Sequence, residues 1–386
     1  MRLLLALFFL PSLALGELVF VAAVWRHGDR APAKLPYPKD KNDETAWPRG
    51  WNQLTNEGML QTYNLGTWLR NRYVNDAKHI KGTFDYKQVY VRSSDSERAL
   101  ASAQSVMAGL YPAEADSVWK KGFPWQPTPI HSYGSDREDP LLKPTSVDCP
   151  NYKKVLSESN DDTLGLLDKQ YADFFVNLTK LTGMEKVDAS NVEHLYNIAR
   201  EKLHNLPQPE WVTDEVMAKI TDLKRITRLD QFNSVAKSKF TGGYLLGDWL
   251  RRLNAAAAGT DKINTVLYSS HDGTLSSLMY VATIGNDQLI PYSAVVIAEL
   301  HKEDSKHIVK LFFKNDTALA QPGDSAFQMT IDGCDADCPL DKFNALLGPN
   351  SVNTTEQLEE MCKNNSIHRA FFLAILTVVL AALLGR

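Results

Sequence analysis

The chain has 386 residues, 44% hydrophobic and 23% charged. These proportions lie near the globular average and exclude a disordered, collagen-like or polytopic protein, and the length suits two or three domains or one large domain carrying an insertion. Lys and Arg number 42 against 46 Asp and Glu, a net charge of −4, so no basic excess exists to hold a nucleic-acid backbone and no nucleic-acid partner is expected.

Residues Met1 to Gly16 read MRLLLALFFLPSLALG. A leading Arg, an apolar stretch and a small-x-small ending predict a secretory signal cleaved before Glu17. Leu18 to Trp25 is a continuous apolar run, the pattern of a strand covered on both faces, and it delivers Arg26-His27-Gly28-Asp29-Arg30-Ala31-Pro32 to a loop. Asn56 to Tyr73 has helical periodicity through Leu65, Leu69 and Tyr73. Gln88 to Val91 reads as a short strand ending at Arg92, followed by a helix to Tyr111 that Asp95 would cap.

From Pro124 to Phe240 the chain is Pro-rich, then polar and helical, and a helical insertion is expected there. Gly243 to Leu253 is amphipathic, and Gly242-Gly243 reads as a turn. Thr265 to Ser270 is a further strand that ends at His271-Asp272, with a helix beginning at Leu275. Ala294 to His301 and Ile308 to Lys314 alternate as a strand pair.

Residues 339–369 read as a stalk-like tether. Ala370 to Leu384 is a run of 15 uncharged residues, about 22 Å of helix against a hydrocarbon core of roughly 30 Å. It is read as a C-terminal membrane anchor over residues 370–386, a short single span in preference to a glycolipid-anchor signal, because Glu359, Glu360 and Met361 occupy the positions where that signal wants small residues. The expected topology is type I, with the main domain lumenal or extracellular. Sequons at Asn177, Asn315, Asn353 and Asn364 suit that placement. Cys149, Cys334, Cys338 and Cys362, an even number in a secreted chain, suggest two disulfides, with three pairings open.

Strand–loop–helix units predict an α/β fold with a mainly parallel sheet, whose ligands bind beyond the carboxyl ends of the strands. Arg26, His27, Arg30, Arg92, His271 and Asp272 all follow such ends. Arginine forks match phosphate oxygens. A neutral His27 can attack phosphorus, the arginines lower its proton affinity, and Asp272 is the candidate acid for the leaving oxygen. An ordinary Asp is ionised at neutral pH, so a donor at Asp272 favours acidic conditions or a substrate that brings its own proton. His271 would hold phosphate oxygen. Arg98 is the alternative to Arg92 but falls inside the following helix. Asp29 is read as a residue that holds the loop, and the other histidines as solvated or satisfied.

Arg26 to Pro32 matches RHGxRxP, and with His271-Asp272 the chain resembles the histidine acid phosphatases, closest to their lysosomal and prostatic type. Leu54-Thr55 with Gly58 and Gln61 is similar to the LTxxGxxQ stretch between the two halves, and Val91 to Asp95 to the segment carrying a further phosphate-binding arginine. The resemblance implies a mutase-like sheet domain over 17–123 and 241–338, with a helical cap at 124–240. It implies phosphorylation of His27, phosphate binding by Arg26, Arg30, Arg92 and His271, and proton donation by Asp272. The substrates would be small phosphate monoesters, with no metal or cofactor, and a homodimer is expected. It also implies the pairs Cys149–Cys362 and Cys334–Cys338. The third bridge of prostatic-type relatives, between cap and sheet domain, has no cysteines here.

Overall fold

The computed structural model describes residues 16–316 and 326–363. The expected signal up to Leu15, the Asn364 sequon and the expected anchor lie outside the described residues. No helix among the described residues is long and apolar enough to cross a membrane.

The elements in chain order are β1 (Glu17–Arg26), α1 (Asn56–Arg70), β2 (Val89–Ser93), α2 (Glu97–Leu110), α3 (Pro150–Gln170), α4 (Ala172–Thr182), α5 (Ile198–Leu203), α6 (Asp214–Leu229) and α7 (Val235–Ala257). They continue with β3 (Thr265–Ser270), α8 (Asp272–Val281), β4 (Val295–Glu303), β5 (Lys306–Lys314), β6 (Phe327–Met329), β7 (Cys338–Pro339), α9 (Leu340–Leu347) and α10 (Thr355–Cys362). The sheet order is β2-β3-β1-β4-β5-β6, with β7 on β5.

Parallel pairing is confined to β2, β3 and β1, and the remaining pairs are antiparallel. The expected mainly parallel sheet is therefore mixed. Its antiparallel half comes from the strand pair that the alternation of Ala294–Lys314 predicted, because two strands joined by a tight turn can only pair that way.

The apolar run of β1 is continuous because both its faces are covered. Phe20, Ala22 and Val24 pack with Leu246, Trp249 and Leu275 of α7 and α8. Val21, Ala23 and Trp25 pack with Leu65, Leu69 and Val106 of α1 and α2. Side chains alternate across a strand, so one decapeptide serves both layers of helix.

The cap has its own core, with Phe175, Leu178, Leu195, Ile220 and Leu223 buried together and Tyr37 joining from the loop after β1. The expected cap boundaries are corrected at both ends. Leu141 and Leu142 belong to the core of the sheet domain. At the other end α7 runs unbroken through residue 240. Gly242 lies within that helix and forms no turn; a Cβ there would lie 2.4 Å from Ser277 O, so the glycine lets α7 and α8 touch backbone to backbone.

The stalk expectation is also corrected for residues 339–363. Phe343 and Leu347 enter the main core, and Val352, Leu358 and Cys362 bury against Cys149 and Tyr152. Disulfides join Cys149 to Cys362 and Cys334 to Cys338, the pairing the resemblance implied. Asn177, Asn315 and Asn353 are exposed.

Candidate active site

Three chain segments meet beyond the carboxyl ends of β1, β3 and β2. β1 ends at Arg26 and hands His27 to a loop held by backbone and side-chain bonds. His27 N donates to Ser270 O at 2.9 Å, Gly28 N to Ser102 Oγ at 3.1 Å, and Asp29 N to Gln61 Oε1 at 2.8 Å. A Cβ on Gly28 would sit 2.1 Å from Gly58 O. Only glycine allows the loop to lie this close to the first turn of α1, which Thr55 caps through Gly58 N.

His27 is buried. Its Nδ1 lies 2.8 Å from Gly28 O, and a carbonyl can only accept, so the proton sits on Nδ1 and the Nε2 lone pair is free to react. Nε2 accepts from Arg98 Nε at 3.2 Å. Arg98 Nη2 also reaches His271 Nδ1 at 3.5 Å, while His271 Nε2 donates to Ser94 Oγ at 2.8 Å. The two imidazoles meet edge to face, 5.5 Å between centroids.

Burial first, then Arg26, His271, Arg98 and Arg30, hold the His27 proton affinity well below its ordinary value. His271 is lowered to about 3, chiefly by burial and Arg98. Burial and the neighbouring Arg200 draw Arg30 down to about 9, which leaves it charged at any pH of interest. Such crowding of cations around neutral imidazoles suits a bound anion. The helix α8 opens at Asp272 with His271 as its N-cap and adds positive potential at the same spot.

Arg26, Arg30, His27, His271 and Asp272 thus come together as expected, and Arg92 does not. Residues 90 and 92 share one face of β2, and Arg92 Nη2 pairs with buried Asp139 at 2.6 Å while its guanidinium stacks 3.9 Å over Tyr133. Arg98, on the first turn of α2, occupies the place assigned to Arg92. The first helical turn after a strand end faces the same crevice as the strand end itself, but the choice between the two arginines rests on which face of β2 residue 92 occupies. Ser96, not Asp95, is the N-cap of α2.

Asp29 holds its loop as expected, and its partners are Thr55 Oγ1 and His204 Nε2, each 2.7 Å from Oδ2. His204 is a cap residue, and so are three cations that sequence reasoning did not single out, Arg200, Lys224 and Arg228. The three cations line a cleft of about 870 Å³ over Arg26, Arg30 and Asp272. Arg228 Nε lies 2.9 Å from Asp272 Oδ2. Burial alone would raise the Asp272 carboxyl, but Arg228, Arg26 and Lys224 outweigh it and hold the group well below the usual carboxylate range. Tyr292 stacks under Arg26 at 3.9 Å and accepts from Arg200 Nε.

Residues 17–314 match the model of the histidine phosphatase superfamily, branch 2. The chain belongs to this family. It is 35% identical over 340 residues to the prostatic acid phosphatase of Rattus norvegicus, covering 86% of each chain. It is 34% identical over 357 residues to the lysosomal acid phosphatase of Xenopus laevis, covering 91% of this chain and 80% of that one. Among solved structures, the Hafnia alvei phytase in complex with tartrate shares the fold of this histidine phosphatase, with a TM-score of 0.67 at 17% identity over 88% of this chain and 98% of the other. At that identity the likeness speaks for fold alone.

Proposed function

We propose that this chain is an acid phosphatase that hydrolyses phosphate monoesters through a phosphohistidine on His27. The observation that carries the reading is the Nδ1–Gly28 O hydrogen bond, which leaves Nε2 as a lone pair among guanidinium groups. Arg26, Arg30, Arg98 and His271 bind the phosphoryl oxygens and stabilise the charge that spreads over them in the transition state, an effect worth about 10²–10³ in rate for each donor lost. Nε2 forms a bond to phosphorus as the bond to the ester oxygen breaks, and Asp272 supplies a proton to the departing alkoxide. In the second half, Asp272 takes a proton from the attacking water, the N–P bond breaks, and inorganic phosphate leaves with that proton, which returns Asp272 to the carboxylate.

The test is hydrolysis of 4-nitrophenyl phosphate across pH 3 to 8. The expected wild-type maximum is acidic, and His27→Ala loses two orders of magnitude or more. Absence of turnover in folded wild-type protein at every pH would overturn the reading and favour a non-catalytic phosphate-ester-binding ectodomain.

Three cap cations in the cleft favour, as a second reading, a narrower phytase-like preference; a kcat/KM for phytate well above that for 4-nitrophenyl phosphate would establish it. The signal-like first 16 residues and the apolar C-terminus support a secretory-pathway protein attached to the membrane as a single-pass type I protein. Phase partitioning before and after a phospholipase that cuts glycolipid anchors separates this from the glycolipid alternative. Sedimentation of the purified ectodomain tests the homodimer that the resemblance implies.

A further inference from the structure

The proton donor of the proposed reaction is held by a residue of the cap. Arg228 sits near the end of α6, and its Nε meets Asp272 Oδ2 at 2.9 Å across 44 residues of chain. The guanidinium is fixed on its other sides. Nη1 donates to Gln231 Oε1 at 2.8 Å, the group lies 5.0 Å over the Phe232 ring, and a Cβ on Gly273 would come within 2.7 Å of Nη2. The first turn of α8 therefore leaves room for this guanidinium where a larger residue after Asp272 would make it shift.

The charged and titratable groups facing Asp272 are Arg228 and Lys224 from α6, Arg26 from β1, Arg98 from α2 and the adjacent His271. Glu193 and Tyr152 face Arg228, Glu193 also pairs with Lys224, and Lys143 faces His271. Cations dominate this set, so before substrate binds Asp272 is a carboxylate, the wrong form for a proton donor.

We propose that Arg228 is a positioning residue lent by the cap, whose guanidinium orients the Asp272 carboxylate and makes proton delivery depend on the proton that the phosphate ester carries in. The inference rests on the phosphatase reading and deepens it. Below its second ionisation, about pH 6, a phosphate monoester enters mainly as the monoanion. The arginine cradle favours the dianion, so the phosphate proton passes to the Asp272 oxygen that Arg228 Nε does not hold. His27 Nε2 then attacks phosphorus, the P–O bond to the alcohol breaks, and the same proton goes from Asp272 to the alkoxide. One proton enters with the ester and leaves on the alcohol, and Asp272 ends the step as a carboxylate ready to take a proton from water.

The experiment is the pH profile of kcat/KM for wild type, Arg228→Gln and Arg228→Lys, with two aryl phosphates of different second phosphate pKa. In wild type the alkaline limb should move with the substrate, and the acid limb should lie at the lowest pH that keeps the protein folded. Arg228→Gln should raise the acid limb by at least one pH unit and lower kcat about tenfold, with KM changed less than threefold. Arg228→Lys should lie between, and it carries the test by itself if the Gln variant does not fold. Acid limbs that coincide with wild type in the folded variants would overturn the role of Arg228, even with activity still dependent on His27. Loss of turnover in wild type itself would instead overturn the phosphatase reading beneath it.

Discussion

Arg98 donates to both histidines of the site, and Arg92 is held in a buried ion pair with Asp139. Their replacements should therefore fail differently. Arg98→Ala should lower kcat/KM by about 10²–10³ with little change in thermal midpoint, as expected for a lost transition-state donor. Arg92→Ala leaves Asp139 buried without its partner, so it should cost about 3–5 kcal/mol of stability, while kcat/KM of the folded fraction stays within about threefold. Parallel denaturation curves and kinetics on the two variants check this, and the opposite pattern would restore Arg92 to the site. The sequence made the histidines, Arg26, Arg30 and Asp272 legible because each stands at a strand end within a signature. It did not resolve Arg92 from Arg98, since that choice depends on which face of β2 residue 92 occupies, and a strand of five residues with Val, Tyr and Ser does not declare its faces. Arg228 was beyond reach, because nothing local marks a helix arginine whose partner is 44 residues away.

At the scale of elements, the segment from Pro339 to Lys363 shows why a polar, sequon-bearing stretch can still be folded. The two helices α9 and α10 are eight residues each, too short to be stable by propensity alone. They persist because Phe343, Leu347, Val352 and Leu358 find a tertiary surface and because Cys362 is bound to Cys149. The bridge ties positions 213 residues apart. Replacing both cysteines by serine should cost about 2–5 kcal/mol and expose the C-terminal helix to proteolysis first, read by limited digestion and amide exchange. An unchanged melting curve with intact protection would contradict the anchoring role. The same logic explains the boundary of α7, where Gly242-Gly243 looked like a turn. Glycine at a helix–helix contact and glycine at a turn share one letter, and only the neighbour Ser277 distinguishes them.

Across the whole molecule, cap and sheet domain are joined by polar contacts where a third disulfide was implied by the resemblance. His204 with Asp29, Arg200 with Tyr292, Arg228 with Asp272, and Glu201 with Asn42 make the join. Glu201 is fully buried, and burial together with the nearby Asp40 carboxyl pushes it up to about 7. Its affinity for a proton is higher folded than unfolded, so its stabilising contribution is complete below about pH 4.5 and is lost as pH rises to about 7. His204 is raised as well, first by its bond to Asp29, and works in the same direction. The buried neutral His27 and His271 are lowered, and they oppose it as pH falls below about 6.5. Glu201→Gln keeps a neutral hydrogen-bonding group and should flatten the loss of stability between pH 4.5 and 7, by several degrees in Tm at the upper end. A variant that melts in parallel with wild type across that range would remove Glu201 from the account. The three-layer core was readable from β1, whose unbroken apolar run requires helices on both faces. The joining contacts were not, since they pair loop and cap residues whose meeting only the fold determines.

In the proposed reaction phosphate passes through a covalent bond to His27. The most direct measurement is rapid quench into alkali, where phosphohistidine survives, followed by peptide mass spectrometry of enzyme mixed with an aryl phosphate. A phosphoryl group is expected on the peptide bearing His27, formed within one turnover, accumulating further in Asp272→Asn because water attack loses its base, and absent from His27→Ala. Rapid turnover with no phosphopeptide at His27, or with the label on another residue, would contradict it.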